Sequence, residues 1–361
     1  MRLLKRKDDK RNRGGTAVAD QPTEGQEVYG SPEEFNGTTT ELFAEIERLT
    51  AANQTARSHA NDRRLLRLRH LAGIRLLDEA ATDAKHPEPA FDRLPDSDGL
   101  PEIDAKDVTP ELIRAGMLRD GCLLVRGLFP RDAALRFADQ IDRSFAERDK
   151  HDEGQQHAEG YYEEFLPHTR YGPVNARPWI KEGGGVLAAD SPMLAFEMLE
   201  LFRNGRVPEL AAGYLGEPAA FSVHKTTLRK ADPSIAGAWH QDGAFMGPVR
   251  ALNLWVSLSR CGDESPGLDL VPRRLDELVR AQTDEAILDY QVSQRGAEEA
   301  AAAGGKTIIR PIFEPGDALF FDELFLHQTG SDPSMPKPRY AIENWFFGAS
   351  AFPTDYAPIA V

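Results

Sequence analysis

Trp239-His240-Gln241-Asp242-Gly243 sets an imidazole and a carboxylate two residues apart. On a strand, or at its end, that spacing sends both side chains to one face, because successive side chains alternate. One ligand from a neighbouring strand would complete a set of two histidines and a carboxylate. That set suits Fe(II) and leaves coordination positions open for O2 and a co-substrate. His327, 85 residues beyond Asp242, offers the third ligand, although taken alone it reads equally well as a core histidine bonded to a carbonyl. Twelve residues later Arg339 opens the run Tyr340–Phe347. A guanidinium entering a β-rich interior needs a partner, since an unpaired buried charge is very costly. A dicarboxylate co-substrate gripped through two parallel hydrogen bonds would serve, and so would Glu343, which alternation places on the same face.

His-x-carboxylate spacing by itself is weak. With nine histidines and 58 acidic residues the chain has other such pairs, His151/Glu153 and His157/Glu159. Those lie in polar, glycine-containing sequence (148–160) that reads as a surface loop, without the rigid support a preformed site needs. His240 and Asp242 differ in sitting between β-like runs, flanked by Trp239 and Phe245.

The elements that must position these residues are legible after about Pro218. Phe221–Leu228, Ala251–Leu258, Leu268–Val271, Thr307–Phe313, Ala318–Phe321 and Tyr340–Phe347 are short runs, most of them rich in β-branched or aromatic residues. Several are bounded by turn sequences such as Ser265-Pro266-Gly267 and Pro315-Gly316-Asp317. Earlier in the chain, Gly121–Gly127 encloses a buried strand, Ala134, Ala138, Ile141 and Phe145 recur at helical spacing, and a second helix covers 193–203. Strands following a helical half predict an α+β chain, mainly β, with a double-sheet jelly roll and helices packed outside it. Residues 280–305 read as a helical insertion. Gly183-Gly184-Gly185 lacks the Lys-Ser/Thr of a phosphate loop and reads as a turn.

Three segments are expected: a disordered tail over 1–38, a helical extension and linker over 39–99, and the jelly-roll domain over 100–361. The tail opens with seven basic side chains against Asp8 and Asp9, a composition that suits a solvated segment. The second helix of the extension carries Arg63, Arg64, Arg67, Arg69 and Arg75 beside a leucine stripe, which suits docking on the acidic main body. A net charge of −15 argues against a nucleic-acid partner for that body. No apolar run approaches a membrane span. Met1–Leu4 leads into lysine and arginine rather than an apolar leader, and two cysteines make no disulfide framework. A cytoplasmic protein is the expectation; oligomeric state is not readable.

Leu100–Phe352 resembles the phytanoyl-CoA dioxygenase family of Fe(II)/2-oxoglutarate-dependent oxygenases. The resemblance rests on Gly121–Phe129, Trp239-His240-Gln241-Asp242, Leu254-Trp255-Val256-Ser257-Leu258, Pro315-Gly316-Asp317 with its aromatic strand, and His327 followed by Arg339. It implies that His240, Asp242 and His327 bind iron and that Arg339 holds the distal carboxylate of 2-oxoglutarate. Thr329 falls where members often place a Ser or Thr on the same co-substrate, and Trp255 and Thr226 match pocket-lining positions. Asp242 stands where related halogenases have Gly or Ala, so hydroxylation is implied. Many members carry Pro-Gly-Ser-His after the strand matching Leu268–Val271. Here Pro272-Arg273-Arg274-Leu275 follows, so the pocket lip departs from the family. The arginines suit a solvated surface pair or an anionic small-molecule substrate, and a CoA-linked one lies within the family's range. The rival readings are a non-enzymatic jelly roll binding a metal or small acid, and an iron oxygenase independent of 2-oxoglutarate, with Arg339 gripping the substrate itself.

Overall fold

The computed structural model describes residues 29–81, 83–96, 99–235, 237–281 and 289–361. It opens with a helical hairpin, α1 (Thr39–Thr55) and α2 (His59–Asp78). A capping box starts α1: the Thr38 hydroxyl accepts from the Glu41 amide while the Glu41 carboxylate accepts from the Thr38 amide. Leu42 and Ile46 of α1 close over Leu65, Leu68, Leu71 and Ala72 of α2. The arginines of α2 are engaged by the protein itself. Arg63 meets Glu163, Arg64 meets Glu34, Arg75 donates to the Phe35 and Gly37 carbonyls, and Arg67 lies over the Tyr29 ring.

The middle of the chain alternates short strands and helices: β1 (Glu102–Asp104), α3 (Pro110–Asp120), β2 (Cys122–Arg126), α4 (Arg131–Asp152), α5 (Arg177–Glu182), β3 (Gly185–Leu187), α6 (Pro192–Asn204) and α7 (Val207–Leu215). Then follow β4 (Ala219–Ala231), α8 (Gly243–Met246), β5 (Ala251–Ser257), β6 (Gly267–Leu270), α9 (Gln294–Ala302), β7 (Ala318–Phe321), β8 (His327–Gly330), β9 (Arg339–Gly348) and β10 (Pro358–Ala360). Eight strands form one sheet in the order β1-β2-β7-β5-β9-β4-β10, with β3 on β4, and β6 and β8 form a second. The architecture is two sheets with flanking helices, without closure into a barrel.

Alternation divides the large sheet's faces. Leu252, Leu254 and Val256 of β5 and Ile342 and Phe346 of β9 point into the main apolar core. Their neighbours Asn253 and Trp255, Glu343 and Trp345, with Lys225, Thr227 and Arg229 of β4, border a cavity closed on its other side by Leu268, His327 and Thr329 of the small sheet. Cross-strand register fixes this set, with Trp255 and Thr227 both opposite Glu343 and Asn253 opposite Trp345. Between Phe221 and Thr226 the β4–β9 register slips. Such a bulge breaks strict alternation and re-aims side chains; His224 and Lys225, consecutive in sequence, both reach the cavity.

Several expectations change. Residues 1–28 lie outside the described residues. Residues 29–38, read as tail, contain a short 3-10 helix at Pro32–Glu34, and Tyr29 packs 5.1 Å from Phe165. Thr307–Phe313 forms only isolated bridges at Ile309 and Phe313, because Pro311 has no amide to donate. Of the insertion at 280–305, 282–288 lies outside the described residues and the helix covers only Gln294–Ala302. Among the described residues no helix is long and apolar enough to cross a membrane.

Candidate metal centre

His240 and His327 are held side by side by their own backbones. The His240 amide donates to the His327 carbonyl at 3.0 Å and the reverse bond spans 3.1 Å, which sets the rings 4.5 Å apart. Each ring is oriented by a carbonyl two residues back: Nδ1 of His240 lies 2.7 Å from the Ala238 oxygen and Nδ1 of His327 3.0 Å from that of Phe325. A carbonyl only accepts, so both Nδ1 atoms donate and the Nε2 atoms are the ones left to face a metal. Burial, then repulsion from His240, depresses the His327 pKa to about 4, which keeps that ring neutral.

Asp242 arrives by a different route from the one its spacing suggests. Only Trp239 and His240 have strand-like pairing; Asp242 has helical dihedrals and caps α8. Its Oδ2 lies 4.0 Å from His240 Nε2 and 3.8 Å from His327 Nε2. Gln241 fixes the turn between them. Its amide donates to the Leu324 and Glu277 carbonyls at 2.6 and 3.2 Å and accepts from the Val279 amide at 2.7 Å. One donor atom from each of the three residues lies within 4.8 Å of the others, and no other group of three candidate ligands exists among the described residues. His151/Glu153 and His157/Glu159 form no such group, and α4 extends through His151.

Arg339 is fully buried behind the cavity wall, its guanidinium 5.2 Å from the Trp255 ring. Its contacts are few and long, to the Gly267 carbonyl at 3.3 Å and Glu343 at 3.4 Å, and its Nε has no partner. Burial lowers the Arg339 pKa from its ordinary range, against the pull of Glu343. Burial works to raise the Glu343 carboxyl, but Arg229 and then Arg339 outweigh it and hold it low. Arg229 is the closer partner, at 2.8 Å. Trp255 and Thr329 border the cavity, and the indole Nε1 of Trp255 and the amide oxygen of Asn253 also lack partners. These unmet buried groups beside three converging ligands suit a polar co-substrate.

Thr226 does not reach this wall. Its hydroxyl is buried between the Ser222 carbonyl and the Asn344 side chain, and the bulge turns its neighbours toward the cavity instead. Arg273 and Arg274 also lie elsewhere, bonded to the Ala300 carbonyl and to Asp322. Sequence reasoning missed Lys225, Thr227 and Arg229, though basic residues at spacing four within a β run were the available signal. Burial lowers the Lys225 pKa, with Asp242 and Glu343 opposing it.

No curated protein matches the chain in sequence. Among solved structures, EctD from S. alaskensis, described with 2-oxoglutarate and 5-hydroxyectoine, is 18% identical over 75% of this chain and 86% of its own, with a TM-score of 0.46. AviO1 from Streptomyces viridochromogenes Tue57 is 19% identical over 66% of this chain and 94% of its own, with a TM-score of 0.42. SnoK, described as a non-heme alpha-ketoglutarate-dependent carbocyclase from nogalamycin biosynthesis, is 13% identical over 68% and 87%, at 0.44. The family model described as Phytanoyl-CoA dioxygenase (PhyH) matches residues 117–339, a span that contains both histidines, Asp242 and, at its last position, Arg339. With more than half of its length inside that match, the chain belongs to the phytanoyl-CoA dioxygenase family of iron- and 2-oxoglutarate-dependent oxygenases.

Proposed function

We propose that this oxygenase hydroxylates an aliphatic carbon of a small molecule, using His240, Asp242 and His327 to hold Fe(II) and Arg339 to fix 2-oxoglutarate. The observation that carries the assignment is the pair of backbone-locked imidazoles whose Nε2 atoms meet one Asp242 oxygen. Iron and 2-oxoglutarate supply the activation of O2 and the oxidation of substrate carbon, with succinate and CO2 as by-products.

The chain's own part is orientation and exclusion of water. His327 offers a neutral donor without having to lose a proton, His240 turns its Nε2 to the same point, and Asp242 contributes the carboxylate. Arg339 has unused N–H groups for the far carboxylate of 2-oxoglutarate, while Trp255 and Thr329 shape the space leading to it. Phe245, Phe321 and Trp345 border the cavity with apolar surface. The cavity of about 220 Å³ suits two small molecules; most of a CoA carrier would have to lie outside it. A cytoplasmic location accords with Cys122 and Cys261 being free buried thiols.

The test is an anaerobic visible spectrum during Fe(II) titration, with and without 2-oxoglutarate. A weak charge-transfer band requiring both, and lost in Asp242→Ala and Arg339→Ala protein, is the expected result. Iron binding with no such band would overturn the role of 2-oxoglutarate, and absence of iron binding would overturn the whole assignment.

A further inference from the structure

Lys225 is a basic side chain on the cavity wall with no carboxylate in direct contact. The other charges around the centre have partners. Arg229 is matched by Glu343, and, on the reading above, Arg339 by the far carboxylate of 2-oxoglutarate. Divalent iron is matched by Asp242 and the near carboxylate. The Lys225 ammonium forms neither an ion pair nor a hydrogen bond with any described residue. It lies instead 3.9 Å from the Phe245 ring centroid and 5.9 Å from that of Tyr356. A cation over a ring gains only about 0.5–2 kcal/mol, so a carboxylate entering the cavity would hold this ammonium better than the rings do. The position is a built one, since the β4 bulge turns Lys225 to the cavity.

The distances place this cation one ring away from the metal ligands. Phe245 lies 6.2 Å from the His240 ring, and Tyr290 lies 5.0 Å from Phe245 and 6.4 Å from His240. An apolar wall therefore runs between the lone ammonium and the ligands.

We propose that Lys225 is the substrate's anchor, and that the substrate is a small monocarboxylic acid whose carboxylate meets Lys225 while its apolar carbons lie along Phe245 and Tyr290 toward the iron. This rests on the oxygenase reading for its chemistry. It specifies a free acid in place of a thioester, which would bring no charge to this point. Lys225 on this account is a specificity residue, and it stands apart from the co-substrate.

The test compares hexanoate and phenylacetate with hexanamide and phenylacetamide, by equilibrium dialysis against the full chain loaded anaerobically with Fe(II) and 2-oxoglutarate. A charge-assisted hydrogen bond is worth enough to make the acids bind roughly tenfold more tightly than their amides. Lys225→Met, which keeps the apolar stem, is expected to erase that preference and to retain the iron–2-oxoglutarate band, while Lys225→Arg keeps both. Failure of both acids to bind, equal binding of acid and amide to the wild type, or an undiminished preference in Lys225→Met would overturn the proposal. Loss of the band in Lys225→Met would also overturn it, by giving the lysine to the co-substrate. A band absent from iron-loaded wild type counts against the role of 2-oxoglutarate and leaves Lys225 to the acid-over-amide comparison, which tests it with or without the band.

Discussion

Asp242 is buried with its carboxylate 3.8 and 4.0 Å from two imidazole nitrogens, beyond hydrogen-bond reach, and no donor in the described chain bonds to it. In metal-free protein that is an unfavourable arrangement, because a buried charge lacking a partner is costly. Asp242→Ala should therefore leave the metal-free fold as stable as wild type or raise its stability by about 1 kcal/mol. Adding Fe(II) should reverse the order, since only the wild type gains binding energy. Urea denaturation with and without Fe(II) under argon measures both; a variant destabilised in the metal-free state would contradict a ligand role. Gln241 behaves oppositely. Its side chain serves three backbone groups and no ligand atom, so Gln241→Ala leaves buried donors and acceptors unmet. A loss of about 2–3 kcal/mol in stability is expected. Iron affinity should fall roughly 10–100-fold, as when groups that support a ligand are removed. Denaturation and a chelator-competition titration separate the two effects.

At the scale of elements, the site depends on how closely the segment leading to His240 lies against β8. A Cβ added at Gly237 would collide with the backbone of Thr329, carbonyl oxygen first. Backbone cannot rotate aside as a side chain can, so Gly237→Ala should shift the segment and lengthen the paired His240–His327 bonds. A destabilisation of about 1–3 kcal/mol is expected, with weakened iron binding, while Gly247→Ala, in open space, tests for a general glycine effect through its strained φ alone. Iron titration of both variants decides the matter. The same elements show what the sequence makes legible. His240 and His327 could be paired from afar because each borders an apolar run, and alternation correctly put Glu343 on Arg339's side. Alternation misled at Asp242, where the chain leaves the strand after His240 and a one-turn helix supplies the direction. At Thr226 the family match pointed to the pocket, whereas the hydroxyl lies between Ser222 and Asn344, because a bulge depends on how β4 meets β9, which no local pattern encodes. The three-residue strands β1, β3 and β10 are too short to carry a period and exist through their partners.

Across the whole molecule, the two ends of the described chain lock each other. β10 pairs with β4, the strand that carries Lys225, and its outer side is taken by α2. Arg69 donates to the Ala360 carbonyl, Nδ1 of His70 to that of Pro358, and Gly73 lets the helix backbone approach Pro358. The helical extension, which composition sets apart from the main body, is thus joined to the sheet that borders the site. His70 is the titratable part of this joint. Its Nδ1 donates to Pro358 and its Nε2 accepts from the His168 amide, so both nitrogens are used only while the ring is neutral. Complete burial, more than any neighbour's charge, lowers its pKa to about 4 from the ordinary 6.5. The unfolded chain then binds the proton more readily than the folded one, and stability falls as pH drops below 6.5, levelling only near 4. The full cost is about 3 kcal/mol, with none of it felt above neutrality. His86, His224 and His327 are shifted the same way, so the wild-type curve sums several sites. His70→Leu isolates one of them. It should be less stable than wild type at pH 7.5, having lost both hydrogen bonds, and the gap should narrow or invert by pH 5. Urea denaturation at the two pH values measures this directly; a gap that stays constant would mean that His70 does not remain neutral in the folded protein.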